Sequence, residues 1–390
     1  MKPFSLLIVD DHAWQLEYLS RLFQRGGEFR VETASRGEDA LELMKSVKFD
    51  LILLDLMMPE FDGIQFIRQL AQQPVKPGLA IMSASSSRLL NSASRMAELL
   101  GIRVVGHLEK PVRLVDVKSL ASEMEAAWRS KYQHRDFPLA LERDTLQAAL
   151  EGGKVQTWFQ PKVSLGTGAV VGAEALARWI TDDGLILLPN QFLPALSLFQ
   201  LDETLLQCVI KQTITAQRKW DERGVPVPVS INLPPHLFDD ESLPDKILNW
   251  TLAEGGQPAT LSFELTEEST ARSQSNFFAG ACRLRMMGFG LAQDDFSQGY
   301  SSLYNLISAP FSELKIDRAL VVGCLDDDGA QAAVESAVAL GQRLGIMVVA
   351  EGVQQREQVE YLRSIGCDAA QGFYFSGALS ADLFAGFSSR

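Results

Sequence analysis

The sequence predicts two α/β folds in tandem: a doubly wound parallel sheet over roughly the first 130 residues, then a (β/α)8 barrel. Short buried strands alternate with amphipathic helices along the chain, which is typical of parallel sheets. With 390 residues, the chain is too long for one ordinary domain and long enough for these two. Polar residues also recur directly after the buried strands, where both folds bind ligands.

The composition is that of an acidic protein with substantial hydrophobic cores. Hydrophobic residues make up 46% of the chain and charged residues 22%, and the formal net charge is -13. Nucleic-acid backbones and anionic lipid surfaces repel such a protein, so we expect no DNA partner. The N-terminus lacks a signal-peptide pattern and no apolar segment is long enough to span a bilayer, so we expect a cytoplasmic protein without membrane insertion. The cysteines are widely spaced, which agrees with a reducing compartment: Cys208, Cys282, Cys324 and Cys367.

Polar residues follow four strands of the first region. The elements predicted there are strands at 4–9, 49–54, 79–82 and 102–108 and helices at 13–24 and 112–129. The residues at the strand ends are Asp10 and Asp11, then Asp55, Ser83 and Lys110. Three carboxylates in this position can hold one Mg²⁺ through oxygen ligands. The lysine and the hydroxyl group can contact a phosphoryl group at the same site.

Four motifs of this region resemble the receiver domain of two-component response regulators: VDD at 9–11, LLDLMMPEFDG at 53–63, MSAS at 82–85 and EKP at 109–111. The resemblance implies a flavodoxin-like fold in which Asp55 accepts a phosphoryl group from a cognate histidine kinase or phosphotransfer protein. It implies that Asp10 and Asp11 bind Mg²⁺ beside Asp55, and that Ser83 and Lys110 contact the phosphoryl group. The switch position, usually Tyr or Phe, is His107 here, so the output coupling is expected to be atypical unless this side chain only faces solvent.

A short polar segment that ends in Pro138 separates this region from the rest of the chain. We therefore assign residues 1–128 to the receiver domain, 129–138 to a linker and 139–390 to the second domain.

The second region repeats one pattern: a helix, a glycine, a short buried strand and a polar residue. Gly288, Gly345 and Gly366 stand where a left-handed residue closes a helix. About 250 residues of this alternation match the size of a TIM-like barrel, in which the strand ends meet at one site. The polar residues associated with its strands are Glu174, Asn232, Glu264, Asp294, Asp295, Lys315, Glu351 and Gln371.

Such a concentration of acids and amides at strand ends indicates a metal site, because unpaired buried charge is costly. Oxygen ligands without histidine favour Mg²⁺ or Mn²⁺ over zinc. Paired ions are typical of phosphodiester hydrolysis, in which Lys315 could orient or help to deprotonate the attacking water. The adjacent acids Asp294 and Asp295 are the centre of the pattern, although by themselves they are equally consistent with a solvated surface turn.

This region resembles the EAL-domain cyclic di-GMP phosphodiesterases. The motifs are EAL at 174–176, FELTE at 263–267, DDF at 294–296, GYSSL at 299–303, LKIDR at 314–318, AEGV at 350–353 and QGF at 371–373. The resemblance implies five metal ligands: Glu174, Asn232, Glu264, Asp294 and Asp295. It implies water organisation and proton transfer by Lys315 and Glu351, with Asp295 at the second metal. Glu267 would tether the loop after Asp295, and the implied substrate contacts are Gln160, Arg178 and Gln371.

The resemblance implies hydrolysis of cyclic di-GMP to linear pGpG. This reaction would depend on two Mg²⁺ or Mn²⁺ ions and would be regulated by phosphorylation of Asp55.

 The alternatives are a receptor that binds cyclic di-GMP with weak or no hydrolysis, and a scaffold whose receiver recruits partners. Degenerate receptors usually lose several metal ligands, whereas every matched ligand position is retained here. The family tends to self-associate, so we also expect a homo-oligomer.

Two positions depart from the family pattern. Ser297 replaces the glycine that usually follows DDF. If that position needs a positive φ, serine there is strained, and metal affinity or basal activity should be reduced. Gln354 replaces the acid that often follows AEGV, and this change is expected to matter less.

Overall fold

The structure is a computed structural model of the 390-residue chain, and it describes residues 3–25, 27–83, 87–133, 141–266, 274–296 and 302–388. The chain divides into two compact units, Met1–Pro138 and Leu139–Arg390. Each unit has its own sheet and its own apolar clusters. Among the described helices, none combines the length and apolar character needed to cross a bilayer.

The first unit is a five-stranded parallel sheet. Its strands are β1 (Phe4–Val9), β2 (Phe29–Ala34), β3 (Leu51–Asp55), β4 (Gly78–Ser83) and β5 (Val104–Glu109). Its helices are α1 (Ala13–Arg25), α2 (Gly37–Ser46), α3 (Gly63–Ala71), α4 (Ser87–Leu99) and α5 (Leu114–Gln133). The strand order β2-β1-β3-β4-β5 is flavodoxin-like and confirms the predicted doubly wound fold. Helix α5 continues past residue 128, so the first residues of the predicted linker are helical.

The central strands β1 and β3 of the first unit are buried on both faces of the sheet. Alternate residues of β1 belong to different apolar clusters: Leu7 and Val9 pack in one, and Leu6 and Ile8 pack in the other. A strand covered by helices on both sides needs a continuous apolar run, which is why the sequence signal for β1 was unambiguous.

The second unit contains nine described strands and ten described α-helices. The strands are β6 (Val155–Ser164), β7 (Val170–Ile180), β8 (Ile186–Leu187), β9 (Val229–Asn232), β10 (Leu261–Leu265), β11 (Gly290–Phe296), β12 (Glu313–Ile316), β13 (Met347–Ala350) and β14 (Ala369–Ala370). The helices are α6 (Arg143–Glu151), α7 (Pro189–Leu198), α8 (Asp202–Asp221), α9 (Leu243–Ala253), α10 (Gln274–Met286), α11 (Ser302–Ser308), α12 (Arg318–Gly323), α13 (Asp328–Leu344), α14 (Arg356–Ser364) and α15 (Ala381–Ser388). Short 3₁₀ turns occur at Pro235–Asp239 and Pro258–Thr260.

Eight of these strands close into the predicted barrel. The ring runs β6-β14-β13-β12-β11-β10-β9-β7, and β7 pairs with β6 to complete it, while β8 pairs with β7 outside the ring. Strand β6 is antiparallel to both of its neighbours, and the other pairings of the ring are parallel. The barrel therefore departs from an all-parallel arrangement at one strand, because a short hairpin joins β6 to β7 where a parallel pair would need a long crossover.

The glycines that the sequence places at helix ends adopt the expected conformation. Gly288, Gly345 and Gly366 have φ values of 95°, 67° and 79°.

Phe159, on strand β6, packs on the outer side of the barrel, where its ring lies 4.8 Å from that of Trp220. Because side chains alternate along a strand, the residues on either side of Phe159 face the barrel interior.

Candidate active site and receiver pocket

Lys315, on β12, lies at the centre of a cluster of carboxylates, and its side chain is only 1% exposed. Its ammonium nitrogen is 2.6 Å from Glu264 Oε2 and 2.6 Å from Glu351 Oε1. The same nitrogen is 3.0 Å from Asp294 Oδ1 and 3.6 Å from Glu174 Oε2. The barrel thus brings together acids that are far apart in the sequence around one buried cation.

A backbone distortion lets two adjacent acids face the same site. In a regular strand, successive side chains point to opposite faces. Asp295 has a φ of 52°, and the pairing of β11 with β12 shifts register between Gln293 and Phe296. As a result, Asp294, Asp295 and Glu351 each offer an oxygen atom within 4.8 Å of the others. A non-glycine residue in the left-handed region costs about 1–3 kcal/mol, a cost that proteins accept mainly at functional sites.

Two amide side chains hold Glu174. Asn232 Nδ2 donates to Glu174 Oε1 at 3.2 Å, and Gln371 Nε2 donates to Glu174 Oε2 at 2.6 Å. Gln371 Nε2 also donates to Glu351 Oε1 at 3.1 Å. Glu174 lies within β7 and not after it as the sequence pattern suggested, because β7 continues through the hairpin with β6 to Ile180.

The carboxyl groups of the site have very different proton affinities. Burial raises the pKa of Glu351 to about 8. Burial, together with the charge of Asp294, raises the pKa of Asp295 to about 6. Burial also opposes ionisation of Glu264, but the charges and hydrogen bonds of Lys315 and Lys162 together outweigh burial, and the pKa of Glu264 falls to about 2. The site therefore combines an acid that stays ionised with acids that exchange protons near neutral pH, a pattern found at functional sites.

The donor atoms of the cluster fit a hard divalent cation. Gln371 Oε1 is buried and accepts no hydrogen bond from the described residues, while buried Asp294 Oδ1 has the ion pair with Lys315 but no hydrogen bond among them. Buried acceptors without a donor are costly, and a cation would satisfy them. Carboxylate and amide oxygens are the ligands that Mg²⁺ and Mn²⁺ prefer.

A cavity of about 530 Å³ opens beside Glu174 and Asn232. Its volume is in the range of small-molecule sites. Apolar side chains form much of its wall, among them Leu176, Pro189, Leu193 and Leu206. Asp202 is a polar group of the wall, accepts a hydrogen bond from Ser197 Oγ at 2.6 Å and lies 3.5 Å from His236 Nε2. The cavity can thus receive a flat apolar group with a polar edge next to the acidic cluster.

Two predicted substrate residues lie on the β6–β7 hairpin. Gln160 is the cross-strand partner of Glu174, and its Nε2 donates to the carbonyl oxygen of Ser376 at 3.1 Å. Arg178 is partly buried, and its guanidinium carbon lies 6.0 Å from the ring centroid of Trp158. Burial lowers the pKa of Arg178. Their contact with substrate stays a prediction.

Sequence reasoning missed two charged residues of the barrel interior, Lys162 on β6 and Glu313 on β12. Lys162 Nζ lies 2.8 Å from Ser230 Oγ and 3.1 Å from Glu264 Oε1, and it also contacts Glu313 Oε1. Each stands two positions from a predicted site residue on the same strand, Lys162 after Gln160 and Glu313 before Lys315. The two-residue period of a strand was the signal that could have found them.

The first unit builds a smaller cluster at the carboxyl ends of its strands. Lys110 Nζ lies 2.8 Å from Asp10 Oδ2 and 2.6 Å from Asp55 Oδ2. Although burial opposes the charge of Lys110, hydrogen bonds to both carboxylates raise its pKa. Asp10 and Asp55 are buried, whereas Asp11 is partly exposed and lies 3.0 Å from His12 Nδ1. The structure brings Asp10, Asp55 and Lys110 together, with Asp11 beside them.

His107, on β5, is exposed, and its Nε2 lies 2.5 Å from Ser94 Oγ on α4. Neighbouring atoms still bury the ring enough to lower the pKa of His107. The imidazole can therefore make a hydrogen bond to a neighbouring helix and does more than face solvent, while its role as a switch stays a prediction. Three other predictions fall outside the described residues: the side chain of Ser83, and Glu267 and Ser297.

Comparisons with known proteins agree with the two units. Residues 143–378 match the EAL domain family, and residues 6–122 match the response regulator receiver domain family. The cyclic di-GMP phosphodiesterase RocR of Pseudomonas aeruginosa is 30% identical over 392 residues, which cover 98% of each chain. The solved structure of the PaMucR phosphodiesterase in complex with c-di-GMP is 33% identical with a TM-score of 0.58, covering 62% of this chain and 98% of that one.

A second solved structure, an EAL domain protein from Listeria monocytogenes, is 28% identical with a TM-score of 0.57 and covers 64% of this chain and 98% of its own. The fold, the strand-end cluster and these matches together show that the chain belongs to the EAL domain family and carries a response regulator receiver domain ahead of its EAL domain.

Proposed function

We propose that this protein is a response regulator whose EAL domain hydrolyses cyclic di-GMP to linear pGpG. The observation that carries the proposal is the buried cluster of four acids around Lys315 in an EAL barrel, together with the buried oxygen Gln371 Oε1, which accepts no hydrogen bond from the described residues. A receptor without catalysis would not need to keep so many costly buried charges.

The proposed metal ligands are the acids and the amide that face one another at the barrel mouth: Glu174, Asn232, Glu264, Asp294 and Asp295. When bound, Mg²⁺ or Mn²⁺ would supply charge stabilisation at the phosphoryl group and make water more acidic, and two ions would suit a phosphodiester. The oxygen-only donor set supports this choice of ion.

The residues of the chain have separable tasks in this proposal. Lys315, kept cationic by the acids around it, holds and orients the attacking water. Glu351, whose ionised form the ammonium group of Lys315 favours, accepts a proton from that water in the fraction of the protein in which it is ionised. The water oxygen bonds to phosphorus, the bond from phosphorus to the ring 3′ oxygen breaks, and that oxygen takes up a proton. Gln371 donates hydrogen bonds to both Glu351 and Glu174 and so fixes the positions of these two carboxylates relative to each other.

Substrate recognition would use the 530 Å³ cavity and the β6–β7 hairpin. The apolar walls suit a purine ring, and the carboxylate of Asp202 suits the N–H donors on the edge of guanine. Gln160 and Arg178 are proposed to contact the substrate, Arg178 through a phosphate group that its guanidinium can bind. Glu267 is proposed to tether the loop after Asp295.

Hydrolysis of cyclic di-GMP by the purified full-length protein with Mg²⁺ or Mn²⁺ tests the proposal, with Glu174→Ala as the control. We expect formation of pGpG that is lost in the control. Tight binding of cyclic di-GMP without product would favour the receptor, and capture of a protein partner without either property would favour the scaffold.

The receiver domain is proposed to receive a phosphoryl group on Asp55 from a histidine kinase or phosphotransfer protein and to regulate hydrolysis. The buried Asp10–Lys110–Asp55 cluster supports this, since Lys110 can neutralise a phosphoryl oxygen while Asp10, Asp11 and Asp55 hold Mg²⁺. Ser83 and His107 are the proposed residues that report phosphorylation to the rest of the domain.

We further propose the domain limits 1–128, 129–138 and 139–390, since the family matches end at residue 122 and begin again at 143. A homo-oligomer is proposed because α11 exposes Leu303, Tyr304 and Ile307, and sedimentation velocity would test it. The cytoplasm is the proposed compartment.

A further inference from the structure

Lys162 crosses the interior of the barrel. It lies on β6, whose neighbours in the ring are β7 and β14. Its ammonium group nevertheless reaches Ser230 on β9, Glu264 on β10 and Glu313 on β12. The side chain is almost fully buried, so it joins the antiparallel strand to strands that β6 does not pair with.

Glu264 is held at both of its oxygens. Oε1 lies 3.1 Å from Lys162 Nζ, and Oε2 lies 2.6 Å from Lys315 Nζ. A carboxylate contacted on both sides cannot rotate without losing one contact. Lys162 therefore decides which oxygen of Glu264 faces Lys315 and the other acids.

We propose that Lys162, supported by Glu313, is a positioning residue that makes Glu264 a single-oxygen metal ligand. The proposal rests on the proposed metal ligation by Glu264. All three ammonium donors of Lys162 have a partner, and one of them is committed to Glu264. A lysine that served only to neutralise Glu313 would not need the contact with Glu264.

A role of Lys162 in charge balance and a role in positioning predict opposite changes in cation affinity when this lysine is removed. Removing a buried positive charge next to an acidic cluster should strengthen cation binding if only charge matters. Removing a group that orients a ligand should weaken it, typically by about 10–100-fold. The sign of the change in metal affinity therefore separates the two roles.

The experiment measures Mn²⁺ binding to the full-length protein by isothermal titration calorimetry, without substrate, and hydrolysis in parallel. The variants are Lys162→Met and the double variant Lys162→Met with Glu313→Gln, which leaves no unpaired acid in place of the lysine. The matched control is Lys154→Met, which removes a partly exposed lysine that lies just before β6 and pairs with Asp182. We expect Mn²⁺ affinity to fall by about 10–100-fold in the first two proteins and to stay unchanged in the control.

The double variant decides the outcome if Lys162→Met alone fails to fold. Wild-type Mn²⁺ affinity in a folded double variant, or tighter binding in either variant, would overturn the proposal. Failure of the double variant to fold would assign Lys162 to folding and overturn it too. If the wild-type protein binds Mn²⁺ but does not hydrolyse cyclic di-GMP, the proposed activity fails, while the comparison of affinities still decides the role of Lys162.

Discussion

The receiver and the barrel each place a lysine among acids at the carboxyl ends of parallel strands, but at different depths. In the receiver, Lys110 contacts two carboxylates and its side chain is 14% exposed. In the barrel, Lys315 contacts four carboxylates and its side chain is 1% exposed. The partly exposed lysine of the receiver suits a site that a protein phosphodonor must reach, and the fully buried lysine of the barrel suits a site to which the access of water is restricted.

The two sites differ in the number of acids around each lysine, and this number affects the charge balance of each site. One lysine can balance the two carboxylates of the receiver in part, and one further cation would complete the site. In the barrel, burial and the charges of neighbouring acids raise the pKa values of three acids, Glu174, Asp295 and Glu351. The following predictions test whether this difference is functional.

The largest effect is expected from removing the central lysine of the barrel. Lys315→Met should reduce hydrolysis of cyclic di-GMP by at least about a hundredfold, because the attacking water loses the group that orients it. Turnover is measured at saturating Mn²⁺, with Lys154→Met, at a partly exposed lysine, as the control. A reduction of less than about tenfold would show that the barrel lysine is a structural counter-charge.

The receiver counterpart is Asp55→Asn. A small acyl-phosphate donor with Mg²⁺ should label the wild-type protein and not this variant, since the amide cannot form an acyl phosphate. Labelling is followed by intact mass spectrometry, together with the rate of hydrolysis before and after phosphorylation. Persistent labelling of Asp55→Asn would place the phosphorylation site elsewhere.

The raised pKa values of the barrel predict a dependence of stability on pH. Glu351 has a folded pKa of about 8 and an ordinary value of 4.5, so the native state keeps a proton that the unfolded chain releases. Its contribution to stability is present below about pH 4.5 and is lost as pH rises towards 8. In a chelator, the melting temperature should fall between pH 5.5 and 8.

Mg²⁺ should raise the melting temperature more at pH 8 than at pH 5.5, because cation binding requires the ionised acids. Glu351→Gln is the matched variant and should flatten the dependence on pH in the chelator. Equal slopes for the two proteins would show that Glu351 does not carry the effect.

The smallest effect is expected at Ser297, which lies outside the described residues. If this position needs a positive φ, Ser297→Gly should relieve strain of about 1–3 kcal/mol, part of which we expect to see as a rise in turnover or metal affinity. Activity is measured over a series of Mg²⁺ concentrations. Unchanged turnover and unchanged metal dependence would remove Ser297 from the account of the site.

Much of the fold could be predicted because buried parallel strands have a strong local signature. The run at Phe4–Val9 was located to the residue, and Gly345 and Gly366 closed their helices as expected. The antiparallel direction of β6 was not predicted, because it depends on how the ring closes and not on any local pattern.

The candidate site was predictable to the level of residue identity and not of geometry. Acids and amides next to buried strands are visible in the sequence, since burying them without a partner would be costly. The left-handed backbone of Asp295 was not visible, because aspartate is compatible with several conformations. Lys162 was missed because its partners lie on strands distant in the sequence.

The sequence by itself determined the two α/β folds, the family and the set of polar residues that stand beside the strands, because these follow from local periodicity and residue type. Only the tertiary structure decided which atoms meet. It placed Lys315 among four acids, turned Asp295 towards Asp294 and carried Lys162 across the barrel to Glu264. The physical reason is that electrostatic and coordination energies depend on distances of a few ångströms, which closure of the barrel sets and local sequence does not.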